Sequence, residues 1–357
     1  MLQLPPSRTD RPRVPVRRPR LSPPETFLGV AGALKRVAAF FYAFLIARYL
    51  DIIGIAVRRS LVIFFRNGGL GDVLCTFPAA TRIVKDHPEA YTIYCTHPDF
   101  VSLPRSVGLF NRVMGIKMSD MVASLISARH TVHRFNYPDE KAENVSVSYL
   151  ADEFSTSNGL PAVLPWPDLN LGSLCPRVAD VFRGSTTPVI CIHTGPTWPV
   201  REWPLVNWDE FVSRLREQMQ VRVIQIGASR HFTEGARIER AVEGAEDLRD
   251  RFSLLESLQI ISRSNLVVAI DSGLIHGAVA LNVPLLGLFG PTSAKLRLPQ
   301  RYDVRSVSAE IPCLGCHHRL PRLHTRSSCP HDIGCMKNLS AQRVVNEAIE
   351  LLQITKS

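Results

Sequence analysis

From Leu61 onward, short continuous apolar runs alternate with longer stretches in which apolar residues recur at helical spacing. The runs Leu61–Arg66, Tyr91–Thr96, Arg112–Ile116 and Thr131–Phe135 come first, followed by Pro188–His193, Val221–Gly227, Asn265–Ile270 and Pro284–Phe289. Runs without polar alternation predict strands buried on both faces of a parallel sheet. Helices are predicted over Val73–His87, Val145–Asn158, Val206–Gln218, Thr233–Val242 and Leu254–Ser262, in a small-residue stretch after Asp271, and over Ala341–Leu352. The alternation predicts an α/β protein with two Rossmann-like halves. The four prolines of Leu160–Pro176 read as a linker, which sets a first domain at 61–175 and a second at 176–340, with a terminal helix in 341–357. Tyr137–Asn144 reads as a polar loop.

The first sixty residues break this rhythm. Residues 1–25 hold seven prolines and six arginines against two acids, a composition that cannot bury a core and predicts a disordered arm. Residues 26–60 are apolar but interrupted by charge, so the longest uncharged run, Val37–Ala47, is too short for a bilayer, which needs about 20 residues. On a wheel, Arg36, Arg48, Asp51, Arg58 and Arg59 share a sector, while Tyr42, Ile46, Tyr49 and Ile53 lie opposite. This partly amphipathic helix is expected either on an anionic membrane surface or docked on its own domain or a neighbouring subunit. The net charge of +10 suits an anionic partner. Eight cysteines are too sparse for a disulfide framework, and the expected setting is the reducing cytoplasm, peripheral to the inner membrane face.

Candidate chemistry sits in the turns after strands, where doubly wound sheets bind ligands. After the first strand comes Asn67-Gly68-Gly69-Leu70-Gly71-Asp72. Its glycine spacing is not G-x-G-x-x-G, and the second strand ends without an acid for a ribose, so NAD binding and an oxidoreductase fit poorly. Asp72 is a candidate general base where glycines admit a substrate; capping the helix is its simpler role. In the second half, His193-Thr194-Gly195-Pro196, Gly227-Ala228-Ser229 and Asp271-Ser272-Gly273 should converge on one crevice. The last opens a helix whose free N–H groups suit a phosphate, with His276 in the first turn. Arg201, between Trp198 and Trp203, is placed to clamp a diphosphate or to stack on an indole.

Four blocks, Arg66–Ala79, His193–Pro204, Ile270–Thr292 and Cys313–Met336, together resemble glycosyltransferase family 9, the heptosyltransferase-like enzymes. The resemblance implies a GT-B architecture with the C-terminal helix crossing back to the first domain. It also implies inverting sugar transfer, without a catalytic metal or cofactor, from a nucleotide-sugar, ADP-heptose, to a lipopolysaccharide-type or other lipid-linked acceptor. Asp72 matches the family's base, with Arg66, Gly69 and Gly71 on the acceptor-side loop. Thr194, Arg201, Gly227, Ser229, Asp271, Ser272, Gly273 and His276 take the donor side. Ser229 departs from the family pattern, standing where a glutamate often holds the ribose. A nucleotide-sugar-binding protein without turnover is the rival from another class, and no nucleic-acid partner is expected. Finally, Cys313, Cys316, Cys329 and Cys335 supply four thiols for a structural zinc, although the second pair is wider than a C-x2-C knuckle; free thiols in a loop lining the cleft are the alternative.

Overall fold

The computed structural model describes residues 25–117, 119–136, 148–230, 237–319 and 329–354. Strands β1 (Leu61–Arg66), β2 (Tyr91–Thr96), β3 (Arg112–Gly115) and β4 (Thr131–Arg134) form a wholly parallel sheet in the order β3-β2-β1-β4. A second parallel sheet holds β5 (Val189–His193), β6 (Arg222–Gln225), β7 (Glu246–Asp247), β8 (Leu266–Ile270), β9 (Leu285–Leu288) and β10 (Val304–Val307) in the order β10-β9-β8-β5-β6-β7. Each predicted apolar run is a strand. The order reverses between β5 and β8 in the second sheet and between β1 and β4 in the first, which opens a crevice at the carboxyl ends of those strands. β1, β5, β8 and β9 are buried along their whole length, as their unbroken apolar sequences require.

Four helices carry the site and the two ends of the described chain: α1 (Glu25–Val57), α2 (Leu70–Cys75), α3 (Gly273–Ala280) and α4 (Ala341–Ile354). The predicted Val73–His87 helix is two helices, α2 and Phe77–Asp86. Pro78 lacks the N–H that would bond to the carbonyl of Leu74, so the chain restarts there. The described residues of Thr233–Val242 are not helical: Ile238 N–H bonds to Ser229 O (2.9 Å) and Val242 N–H to Gln225 Oε1 (2.9 Å), committing that backbone to the sheet's edge. Of Val145–Asn158, Leu150–Thr156 is helical. The proposed arm, the Tyr137–Asn144 loop and the middle of the cysteine block lie outside the described residues.

α4 packs on the second sheet, which differs from the crossing back that the resemblance implies. Its buried face, Val344, Val345, Ala348, Leu351 and Leu352, meets Trp208, Phe211 and Leu215 of the helix Leu205–Gln218 and the strands beneath. Trp203 Nε1–H secures the junction by donating to Leu339 O at 2.9 Å.

Residues 26–60 do form a helix, and its second half docks on the first sheet. Ala43, Ala47, Leu50 and Ile53 pack against Leu61, Ile63 and Phe65 of β1. Two expectations need correction. Asp51 is not on an outward charged face but buried, 3.3 Å from His130 Nε2 and 2.8 Å from Arg48. Tyr42 and Tyr49 sit at the rim, where Tyr49 Oη accepts from Arg112 (2.6 Å) and Tyr42 Oη from Lys117 N–H (3.2 Å). Moreover, Gly32–Val57 is long and apolar enough to cross a membrane by length and composition, because a few charges within a long helix do not break its mean hydropathy. Leu34, Val37, Phe41, Leu45, Ile52 and Ile55 are all exposed on the side away from the domain.

Candidate active site

Between the two sheets lies a cavity of about 1080 Å³, walled on one side by Gly69–Asp72 and on the other by the turns after β5, β6 and β8. Gly69, Gly71, Asp72, Arg201, Gly227, Asp271, Ser272, Gly273 and His276 line it, as expected from the sequence. Three others do not. Arg66 is buried, donating to Phe135 O (2.5 Å) and lying 3.4 Å from Asp72 Oδ1, so it holds the loop instead of facing the cleft. Thr194 points inward, where its Oγ1 accepts from Gln225 Nε2 (2.9 Å). The backbone N–H of Ser229 is taken by Asp250 (Oδ1, 3.0 Å), and it is Asp250 that lines the cavity.

Asp72 sits in the first turn of α2, one oxygen accepting from Gly69 N–H at 2.7 Å and the other turned to Arg66. The capping role and the cleft position therefore coexist. Side-chain contacts on both oxygens fix the carboxylate's orientation at the edge of the cavity.

Across the cleft, Asp271 ends β8 and is almost wholly buried between two guanidiniums, Arg201 at 3.4 Å and Arg297 at 3.8 Å. Burial alone would push its carboxyl up; Arg201 and then Arg297 overrule that and hold it below the usual carboxylate range. Arg201 also stacks on Trp198 at 3.6 Å, the second of its expected roles, and the indole fixes the guanidinium plane beside Asp271. Arg297, in the turn after β9, escaped sequence reading because a basic residue in a short Ala-Lys-Leu-Arg segment looks like solvated surface, yet it is buried. Two arginines thus flank one buried carboxylate on this wall of the cavity.

Ser272 is the N-cap of α3 but makes no side-chain cap bond, and its buried Oγ has no hydrogen-bond partner among the described residues. Ser272 and Gly273, at the start of α3, line the cavity where the helix's first N–H groups lie. Gly227 (φ 115°) lies where a side chain would meet His193 Nδ1 at 2.6 Å. Gly273 and Gly71 let the two helix starts touch: a Cβ on Gly273 would lie 2.7 Å from Leu70 Cβ and 3.0 Å from Gly71 N.

His276 is buried and its basicity falls to about 4, first through burial and then through Arg297, against smaller opposing pulls from Asp271 and Asp72. Of the cysteine block, Cys335 is pushed up to about 11 by burial and then by the thiols of Cys316, Cys313 and Cys329. Among the described residues no three His, Cys, Asp or Glu side chains stand close enough to hold a metal ion, so the expected zinc site is not assembled. His317 from this segment lines the cavity and packs on Trp198, 5.1 Å between rings.

Because His276 is neutral when folded and takes a proton more readily when unfolded, stability should fall as pH drops from about 6.5 to 4. The unfolded chain binds more protons in that window, and His276 alone accounts for roughly 3 kcal/mol. Denaturant unfolding across that range should show a shallower loss in His276→Gln than in the parent; parallel curves would refute the assignment.

The profile of Glycosyltransferase family 9 (heptosyltransferase) matches residues 123–325. Lipopolysaccharide heptosyltransferase 1 of Pseudomonas aeruginosa is 29% identical over 140 residues, 39% of this chain and 39% of that one. Lipopolysaccharide heptosyltransferase 2 of Salmonella typhimurium is 23% identical over 218 residues, 59% of this chain and 60% of that one, so the match spans less than two thirds of either relative. The dodecameric iron-containing heptosyltransferase TibC of Escherichia coli, solved in complex with ADP-D-beta-D-heptose, has a TM-score of 0.65 at 20% identity, covering 84% of this chain and 77% of that one, a likeness of fold. The matched region takes in more than half of the sequence and the turns that build the cationic wall of the cleft: the chain belongs to glycosyltransferase family 9, with two Rossmann-like domains in the GT-B arrangement.

Proposed function

We propose that the chain is an inverting glycosyltransferase that moves heptose from ADP-heptose to a lipid-linked saccharide of the lipopolysaccharide type, working at the cytoplasmic face of the inner membrane. The observation that carries this reading is the facing of a fixed carboxylate, Asp72, by a cationic, N–H-lined wall built from Arg201, Arg297 and the start of α3. In an inverting displacement the acceptor hydroxyl attacks from the side opposite the departing nucleotide, and one carboxylate suffices to take its proton. Charge develops on the leaving diphosphate. Arg201, Arg297 and the α3 N–H groups meet it without needing a catalytic metal, in a site already organised before reaction. Asp250, beside Ser229 on the cavity wall, is the carboxylate placed to reach the nucleoside end where the expected glutamate is missing.

The exposed side of α1 supports membrane attachment. Leu34, Val37, Phe41, Leu45, Ile52 and Ile55 are exposed there, with Lys35, Arg36, Arg58 and Arg59 exposed on the same helix and its end. Apolar area for the acyl boundary and cations for anionic headgroups together favour lying in the interface of an anionic leaflet. A structural metal on Cys313, Cys316, Cys329 and Cys335 completes the proposal. Among the described residues fewer than three of these thiols stand within reach of one ion, so the site would have to close on binding; their order in the sequence supports it, and TibC is described as iron-containing. Zinc and iron both accept four thiolates.

Asp72→Asn should reduce sugar transfer by about 10²- to 10⁴-fold while ADP-heptose still raises Tm. Undiminished transfer would sink the base assignment, and a parent chain that is stabilised by ADP-heptose yet transfers nothing would instead be a binding protein. Greater stabilisation by UDP- or GDP-sugars would move the donor.

Vesicles containing anionic lipid should float the full chain at low salt, and replacing Phe41, Leu45 and Ile52 by serine should abolish flotation without altering the fold. Flotation that survives the triple change would exclude this face as the anchor.

Elemental analysis of the purified chain should find one zinc or iron per chain, lost in the double variant Cys316→Ser/Cys335→Ser; a metal-free, fully folded parent would remove the site.

A further inference from the structure

His276 touches the opposite domain through one side chain that the proposed mechanism leaves unused. Cys75, the last residue of α2, is fully buried, and its Sγ lies 3.2 Å from His276 Nδ1. The ring is held in a slot: Tyr149 stacks on it at 6.3 Å with planes 17° apart, and Tyr149 Oη stands 3.9 Å from the same Sγ. On the far edge, Nε2 lies at Gly71, where a Cβ would come within 3.0 Å of it, on the cavity wall.

We propose that Cys75 is a positioning residue for His276: its S–H donates to Nδ1, which leaves the imidazole neutral and fixes the proton on Nε2, the nitrogen on the cleft side. The inference rests on the reading of the cleft as a nucleotide-sugar site and adds the protonation state in which His276 meets the donor. Three observations support the direction of this bond. Burial, the largest influence, keeps the thiol far above its ordinary pKa and therefore protonated; Asp72 adds to this, while Tyr149, Arg297 and Arg66 oppose it only in part. The nearer of the thiol's two neighbours is the ring nitrogen, not the phenol. The charged groups facing His276 are Arg297, Asp271 and Asp72, and with burial they leave the ring uncharged, so one nitrogen must be the acceptor.

The alternative tautomer, with Nδ1–H donating to sulfur, would present the lone pair of Nε2 to an anionic ligand. The thiol has a second partner in Tyr149 Oη, at 3.9 Å, and its donating instead to the ring nitrogen at 3.2 Å disfavours that tautomer. Asp72 and Cys75 are one turn apart on α2, so a single helix places the base on the acceptor side and sets the donor hydrogen on the other.

Long-range nitrogen-proton correlation spectra of the full chain, with His276→Gln used to assign the ring, read the tautomer directly. The parent should show a bare Nδ1 and a protonated Nε2. Cys75→Ala should mix the tautomers and lower kcat/KM on the order of tenfold, the loss of about one hydrogen bond. Cys75→Ser, which keeps a donor, should restore the tautomer and most of the rate. A parent ring protonated on Nδ1, or an unchanged tautomer in Cys75→Ala, would overturn the proposal; should the alanine variant not fold, the parent and serine spectra decide it. If the tautomer is as stated but ADP-heptose neither shifts the His276 resonances nor raises Tm, the donor reading fails while the positioning role stands.

Discussion

The site depends on the starts of two helices, α2 and α3, meeting across the cleft. Leu70-Gly71 at the start of α2 lies against Gly273 and the His276 ring of α3, an approach sterically open only because neither glycine carries a Cβ. Two positive helix ends in contact repel, and each is worth about half an elementary charge. The sequence answers with one carboxylate per side: Asp72 within α2 and Asp271 immediately before α3. Arg201 and Arg297 then flank Asp271 on the side of the second sheet.

The same contact explains the division of labour between the domains. α2 is short and rigidly held, its start tied by the Asp72 bond to Gly69 and its flank by Arg66, which also lies over Phe154 at 5.0 Å. α3 is wholly buried after its first residue and backs onto Leu254–Ser262 and β8. Both walls of the cleft therefore rest on elements that cannot yield without disturbing a core.

The legibility of this architecture in the sequence depends on what a pattern encodes. Buried parallel strands such as β1 and β8 advertise themselves, because both faces need apolar side chains. β7 (Glu246–Asp247) and β10 (Val304–Val307) did not, since two exposed acids and a short run at the sheet edges carry little such demand. Turns after strands located the crevice, yet a turn does not say which way each side chain projects. Thr194 points into the interior toward Gln225, and Ser229 gives way to Asp250, which comes from beyond the next strand. Arg297 was hidden for the opposite reason: its environment is made by Asp271, 26 residues earlier, so nothing near it in sequence marks it as buried. The helical wheel of residues 26–60 misplaced Asp51, because its partner His130 arrives from a distant loop.

Gly71 and Gly273 supply no acid, base or charge, yet any side chain at either would wedge the walls apart and pull Asp72 away from the cationic side while both cores stay intact. Inactivating replacements there would look like losses of catalytic groups in any survey that scores activity alone. What they would remove is a close approach that only a hydrogen in place of Cβ allows, and that approach must be kept if the two halves are to remain one site.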